Sequence, residues 1–533
     1  MLRFAVLDDR GPVADFPLRH AHLLGADEVA VPADINFADG LIHCVKKASD
    51  AAGLALLYDA GDCGELALRT CLLPQRQRPY LLSLELARHR IMLFLNKLEE
   101  WFLCDLPADE PAMTLFEQAR AKFTAALAAE RAVDHSFTPE EDRLAREALC
   151  LAIQASERLA LLASDILMHH RLNTAQNAAG TGVVNLMIGC AVRRDQTSDG
   201  LQKVVADYFD FMVSPMRWPA LEPDEGEYSF GKTDKWVEWA VRTAKMPVHA
   251  GPIIDLRPGR TPEWLHIWEN DYDTLREVVF QHLKKVVTRY HKAVSRWTVA
   301  SGLHLNADFK LTLEQIMDLS RLCVMLVRKM IPNAKIQIEI DQPFGEHYGC
   351  DPVSLPPLIY AEMLVQQGLA IDAIGLRIQM GDAREGRAVR DLMALSAMLD
   401  AYSVFDKPIV VTALGAPSEP IAPAPASPDD PNPDRFLPGR WRRPWSPEAQ
   451  ADWLHNAMAV CLSKPYVLSV AWQDLYDSTG PGALYEMPHG GLITSAGKPK
   501  PALRQLAKAT RLAHFRQALA ARPARAESAA LSP

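Results

Sequence analysis

The chain has 533 residues, more than one hydrophobic core usually serves, so two or three domains are expected, one of them large enough to be an α/β barrel. Its 49% hydrophobic and 23% charged content is that of an ordinary folded protein, and a net charge of -9 argues against nucleic acid and anionic membrane as partners. The start, Met1 to Arg10, is too charged for a secretory signal, and no run of about 18 apolar residues could span a bilayer, so a cytoplasmic location is expected. Nine scattered cysteines without a Cys-x-x-Cys pair fit buried reduced thiols better than a disulfide framework or a zinc site.

In chain order, residues 1–105 read as a β-rich, sandwich-like domain. Strand-like runs at Leu2–Leu7, Glu28–Val31, Gly53–Tyr58, Glu65–Leu73 and Tyr80–Leu86 are separated by Asp, Gly and Pro. Residues 106–172 turn helical in period, with Thr138-Pro139-Glu140-Glu141 as a good helix start, and predict a helical hairpin linking two domains. From 173 to 515 strands and helices alternate, the pattern of parallel βα units. The strands expected are Val183–Val192, Phe211–Arg217, Val248–Leu256, Arg296–Gly302, Lys335–Ile340, Ala373–Gln379, Pro408–Leu414 and Val467–Asp474. Long amphipathic helices such as Leu275–His291, Leu313–Met330 and Arg387–Leu399 separate them, so the fold class is α/β, a (β/α)8 TIM barrel. The Pro- and Ala-rich stretch Ala416–Pro447 reads as an excursion over the barrel mouth, and 516–533 as a disordered tail.

Five ordered segments carry a resemblance: Met216-Arg217-Trp218-Pro219-Ala220-Leu221-Glu222-Pro223, Val287-Thr288-Arg289-Tyr290, Ile331-Pro332-Asn333-Ala334-Lys335, Ile371-Asp372-Ala373-Ile374-Gly375 and Lys498-Pro499-Lys500-Pro501-Ala502. In this order they resemble the glycoside hydrolase family 10 barrel, whose members are mostly xylan-degrading enzymes. The resemblance implies a barrel that acts on or binds carbohydrate, xylan-type or acidic, and a general acid and a nucleophile at the ends of the fourth and seventh strands. This chain has Trp297-Thr298-Val299-Ala300-Ser301-Gly302 and Val411-Thr412-Ala413-Leu414-Gly415 there. Retaining glycosidases hold two carboxyl groups about 5 Å apart, one to protonate and one to attack. Gly302 and Ala413 can do neither, so the standard mechanism is expected to be absent.

A barrel's functional face is the C-terminal end of its strands. Candidate ligand contacts there are Arg217, Trp218, His304, Asp341, Gln342, His347, Arg377, Gln379 and Trp472, with Trp441 and Trp445 from the excursion; Asp255, Glu346 and Asp474 are candidate catalytic carboxylates. Each has a plainer alternative. Asp255 and Asp474 fit helix caps or partners of Arg217 and Arg377, Glu346-His347 fits a solvated loop, and Trp441 and Trp445 fit anchors whose neighbouring arginines pair with Asp429, Asp430 and Asp434. His169 and His170 are adjacent on a helix and diverge, and no ligand spacing supports a metal; no cofactor motif is present either.

Three functions compete: a carbohydrate-binding barrel without the family's hydrolysis, an active glycosidase with relocated carboxylates, and a cytoplasmic scaffold or assembly protein using its first domain. The oligomeric state and the role of that first domain stay open.

Overall fold

From residue 187 onward the alternating strands close on themselves. In the computed structural model, which describes residues 1–506 apart from 48, 131–135, 180–186, 351–352, 422–436 and 478–485, nine parallel segments form one sheet. They are β1 (Met187–Ala191), β2 (Phe211–Ser214), β3 (Val248–Ala250, resuming at Ile254–Asp255), β4 (Arg296–Ser301), β5 (Lys335–Ile340), β6 (Ala373–Gln379), β7 (Ile409–Gly415) and β8 (Val467–Trp472). Both halves of β3 pair with β4, and β8 returns to β1, which closes a (β/α)8 barrel. The strands expected from sequence match these closely.

Two outer helices form where expected and for legible reasons, whereas the one expected over Arg387–Leu399 begins only at Leu392. Asp271 caps Tyr272–Tyr290 by accepting the Thr274 N–H, and Thr312 with Gln315 forms a capping box for Leu313–Met330. Leu275, Val279, Leu283 and Val286 on the first, and Ile316, Leu319, Cys323 and Val327 on the second, recur at helical spacing and are buried against the strands. No helix among the described residues is long and apolar enough to cross a membrane.

Ahead of the barrel lie two small sheets. One orders Tyr80–Leu81, Leu2–Ala5, Leu41–Val45 and Asp34–Ala38; the other orders Arg440–Trp441, Gly64–Arg69, Gly53–Asp59, His22–Leu24 and Ala30–Val31. One expectation needs correcting here. The strand expected over Tyr80–Leu86 lasts only two residues, and a helix, α1 (Leu82–Glu100), takes over. Leu82, Leu84 and Leu86 alternate as a strand would, but the segment is enclosed on several sides, and leucine and alanine favour helix once burial removes the two-faced distinction. α1 packs beside two further helices, α2 (Pro111–Ala128) and α3 (Pro139–Ala179), which lie against each other in the span expected to form a helical hairpin.

The middle of the excursion after β7, residues 422–436, lies outside the described residues; its described end, Arg440–Trp441, pairs antiparallel with Glu65 and Gly64 and completes the five-stranded sheet. Gly64 permits this close approach: a Cβ there would lie 2.2 Å from the Arg440 carbonyl oxygen. Asp429, Asp430 and Asp434 lie outside the described residues; Arg442 pairs with Glu157 and Arg443 with Asp452.

Buried ion pairs fasten these layers to the barrel. Arg90 of α1 donates to both oxygens of Asp391, at 3.0 and 2.7 Å. Asp391 also caps helix Leu392–Ser403 by accepting the Met393 and Ala394 N–H groups. Asp391→Ala strands a guanidinium and removes a cap together. The expected cost is roughly 3–5 kcal/mol, read as a lowered denaturation midpoint; Arg90→Met with Asp391→Asn should recover much of it.

Candidate functional site

At the C-terminal ends of the strands, where the sequence places most of its candidates, charged side chains fill the barrel mouth. Asp255 ends β3, and Arg257, two residues on, donates to it from Nε and Nη2 at 2.8 and 2.7 Å. Glu339 projects inward from β5 and accepts the Ser301 hydroxyl at 2.6 Å and Arg377 Nε at 2.9 Å. Glu486, from the segment after β8, lies between the two arginines: Arg257 Nη1 and Arg377 Nη1 reach Oε2 at 3.0 and 2.8 Å. Arg217 and Arg260 approach the same carboxylate at 3.6 Å.

Arg217, Asp255, Arg257, Glu339, Arg377 and Glu486 line a cavity of about 540 Å³, its open mouth included, together with His249, Gln337, Thr298, Ala413 and Gln473. Burial would raise the Glu486 carboxyl, but Arg257, Arg377, Arg260 and Arg217 hold it well below the ordinary range. His249 is pushed down to about 3 by burial and by Arg296, and so is neutral. Asp474 is the contrast. Burial pushes its carboxyl up to about 7, against the pull of Arg217 and with the push of Glu486, and its Oδ2 accepts the Glu486 N–H at 3.0 Å.

Of the residues expected at the site, Arg217, Asp255 and Arg377 line this cavity, and Asp474 sits behind Glu486. Gln379 bonds Gln473 at 2.5 Å beside it. Asp341 faces Arg387 at 3.1 Å, and Gln342, buried, packs on Gly386. The others lie elsewhere. Trp218 is fully buried, stacked on His282 and bonded to Glu222; Trp472 is buried with its indole N–H on the Gly490 carbonyl. Both are core rings. His304 bonds the Asp341 carbonyl and stacks on Tyr360, with burial bringing it down to about 4.

Glu346 faces the first domain instead of the mouth, and His347 lies against the loops that follow β4 and β6. Glu346 pairs with Arg390 and approaches His20, lining a separate cavity between the five-stranded sheet and α1, while His347 meets Glu385 at 2.7 Å. Trp441 donates to Glu157 of α3 at 2.7 Å, and Trp445 is buried beside Gly381. Arg257, Arg260, Glu339 and Glu486 are mouth residues that the sequence reading passed over. Glu339 had a signal: Lys335-Ile336-Gln337-Ile338-Glu339-Ile340 alternates polar and apolar in a strand enclosed on both faces, so its polar set points into the barrel.

A sequence model of Glycosyl hydrolase family 10 matches residues 175–311, from the approach to β1 to just past β4. The barrel is glycosyl hydrolase family 10-like. Endo-1,4-beta-xylanase B of Humicola insolens is 25% identical over 132 residues, 24% of this chain and 35% of that protein. Endo-1,4-beta-xylanase 3 of Hypocrea jecorina is 26% identical over 169 residues, 30% of this chain and 45% of that protein. The chain thus spans less than half the length of these curated relatives. Among solved structures, xylanase 10B of Thermotoga maritima is 18% identical at a TM-score of 0.45, over 62% of this chain and 97% of that one. Xylanase 10B of Thermotoga petrophila RKU-1, solved with xylobiose, is 18% identical at a TM-score of 0.45, over 65% and 98%.

In this family 10-like barrel Gly302 follows β4 at φ +73°, and a Cβ there would fall 2.7 Å from the Arg257 backbone nitrogen and 2.6 Å from its Cγ. A longer side chain at 302 therefore collides with the residue that holds Asp255 and Glu486. Ala413, in β7, turns its methyl toward the cavity.

The raised Asp474 carboxyl makes stability depend on pH with a definite sign. The folded chain keeps this proton up to about pH 7, whereas the unfolded chain releases it near the ordinary aspartate value of 3.8. The folded state therefore binds more protons between these limits, and stability falls as pH rises through them. Relative to wild type, Asp474→Asn should flatten the decline between pH 5 and 8, by roughly 2–4 kcal/mol in total. Urea midpoints at the two pH values check this; parallel slopes for both proteins would refute it.

Proposed function

We propose that this protein binds a xylan-type or acidic carbohydrate at the mouth of its family 10-like barrel and lacks the retaining hydrolysis of that family. One observation carries the reading: the carboxylates lining the cavity, Asp255, Glu339 and Glu486, are all committed to guanidinium groups, while Gly302 and Ala413 occupy the ends of β4 and β7. A general acid must carry a proton near neutral pH, and a nucleophile must present a free lone pair to the anomeric carbon. Glu486, held well below the ordinary carboxylate range, does not carry that proton. The polar lining itself remains suited to hydroxyl-rich ligands, since arginine donates, a carboxylate accepts and glutamine does both.

A second reading, a glycosidase with relocated carboxylates, is favoured by the pair Asp474 and Glu486, whose surroundings drive their affinities for protons apart. Asp474 is placed against it: its oxygen is spent on the Glu486 backbone, and it does not line the cavity. Glu346, bonded to Arg390 away from the mouth, is a poor candidate for either role.

Calorimetric titration of the whole chain with xylo-oligosaccharides, run beside an assay for reducing sugar, tests the two together. Saturable binding without sugar release is expected. Turnover that disappears in Asp474→Asn would establish the second reading; absence of any binding would remove both.

A further inference from the structure

Two cysteines 87 positions apart meet where the first domain touches the excursion after β7. Cys63 ends the short turn Gly61–Cys63, which links the antiparallel strands Gly53–Asp59 and Gly64–Arg69, and it is buried. Cys150 stands on α3 and is half-buried. Both thiols are free, their sulfur atoms lie 3.4 Å apart, and the Cys63 sulfur is also 3.4 Å from the Cys150 carbonyl oxygen. The turn packs on α3, so the two backbones are already together. A disulfide needs its sulfur atoms about 2.05 Å apart, so little more than about 1 Å of approach separates this contact from a bond.

The two thiols are not equivalent. A hydrogen bond from the Cys63 thiol, aided by the Cys63 and Asp62 backbone N–H groups, lowers Cys150 below the ordinary thiol range, although burial and the Asp62 charge oppose it. The same hydrogen bond, together with burial, raises Cys63. Gln154 also turns its amide N–H toward the Cys150 sulfur, at 3.5 Å. Cys150 is the better nucleophile of the two, and as the less buried it meets a dissolved reagent first. Cys63 stands behind it as the resolving thiol.

We propose that Cys63 and Cys150 form a reversible dithiol–disulfide site that takes a small-molecule disulfide as oxidant and, once closed, staples the first domain's hairpin to α3. The Cys150 thiolate attacks one sulfur of the small disulfide, giving a mixed disulfide and releasing one thiol. The Cys63 sulfur then attacks the Cys150 sulfur, the bond to the small thiol breaks, and the departing thiolate takes up the Cys63 proton. Two protein thiols are oxidised, and one disulfide is reduced to two thiols.

The bond would fall at a junction. The Cys63 carbonyl accepts the Arg442 N–H at 2.9 Å, and the next residue, Gly64, pairs with Trp441. Glu157, two turns along α3 from Cys150, accepts from both Trp441 and Arg442. Linking 63 to 150 makes this ring of contacts covalent and closes a long loop in the unfolded chain. It is independent of the barrel mouth.

Treatment of the full chain with oxidised glutathione near neutral pH, followed by alkylation and peptide mass spectrometry, tests this. Wild type should yield a Cys63–Cys150 crosslink that dithiothreitol reverses, while the exposed Cys104 keeps a glutathione adduct and shows that the oxidant has acted. Cys63→Ala should lose the crosslink and accumulate the adduct on Cys150; Cys150→Ala should leave Cys63 unmodified. With free oxidant removed, crosslinked wild type should unfold at a higher urea midpoint than its reduced form, a shift that Cys150→Ala does not show. An adduct on Cys104 without the crosslink in wild type would overturn the site. A crosslink with an unchanged midpoint would overturn the staple. Should either variant not fold, peptide mapping of wild type decides alone.

Discussion

The contact between Glu486 and the two guanidinium groups of Arg257 and Arg377 sets the character of the barrel mouth. All three side chains are almost wholly withdrawn from water, so none can be charged at tolerable cost without the others. Asp255 and Glu339 complete the arrangement by taking the remaining faces of the two arginines. The carboxylates are thereby oriented toward cations. Groups fixed in this way bind and position well, and they are poorly suited to passing a proton. Asp474 shows what the same burial does without a close guanidinium contact: it keeps its proton to about pH 7.

The same physics joins the first domain to the barrel. Glu157 of α3 accepts from the Trp441 indole, the Arg442 guanidinium and the Leu392 backbone, so one carboxylate ties a helix, the excursion after β7 and the start of a barrel helix. Arg90 with Asp391 repeats the device. Burial alone would raise the Asp400 carboxyl, but Lys464 and Lys97 bring it below the ordinary range, and Lys97 comes from α1. Separating the layers would leave several charges buried and unmatched. The sheets and helices ahead of the barrel are thus part of its wall, more than an appended module.

The barrel strands were legible because each is a short apolar run bounded by turn residues at regular spacing, a signal that survives without any partner information. Helix caps at Asp271 and Thr312 were equally local. What could not be read were pairings across hundreds of residues: Arg257 and Glu486 are 229 positions apart, and nothing near Glu486 marks it as a mouth residue. The same limit misplaced Glu346 and Trp441. Each stands in a loop or insertion whose direction is fixed by a distant surface, the five-stranded sheet or α3, and local composition does not encode that choice. Tyr80–Leu86 failed for another reason, since alternating leucines look alike in a strand and in a helix buried on several sides.

A barrel mouth that had merely lost its reacting groups would be free to fill with apolar side chains, which pack at little cost and often stabilise more than buried ion pairs do. Ala413 and Gly302 follow that direction, but their surroundings do not. Arg217, Arg257, Arg260 and Arg377 place four cations within reach of one carboxylate at the face where such barrels bind their ligands. Stability alone gives no reason to keep so many charges there.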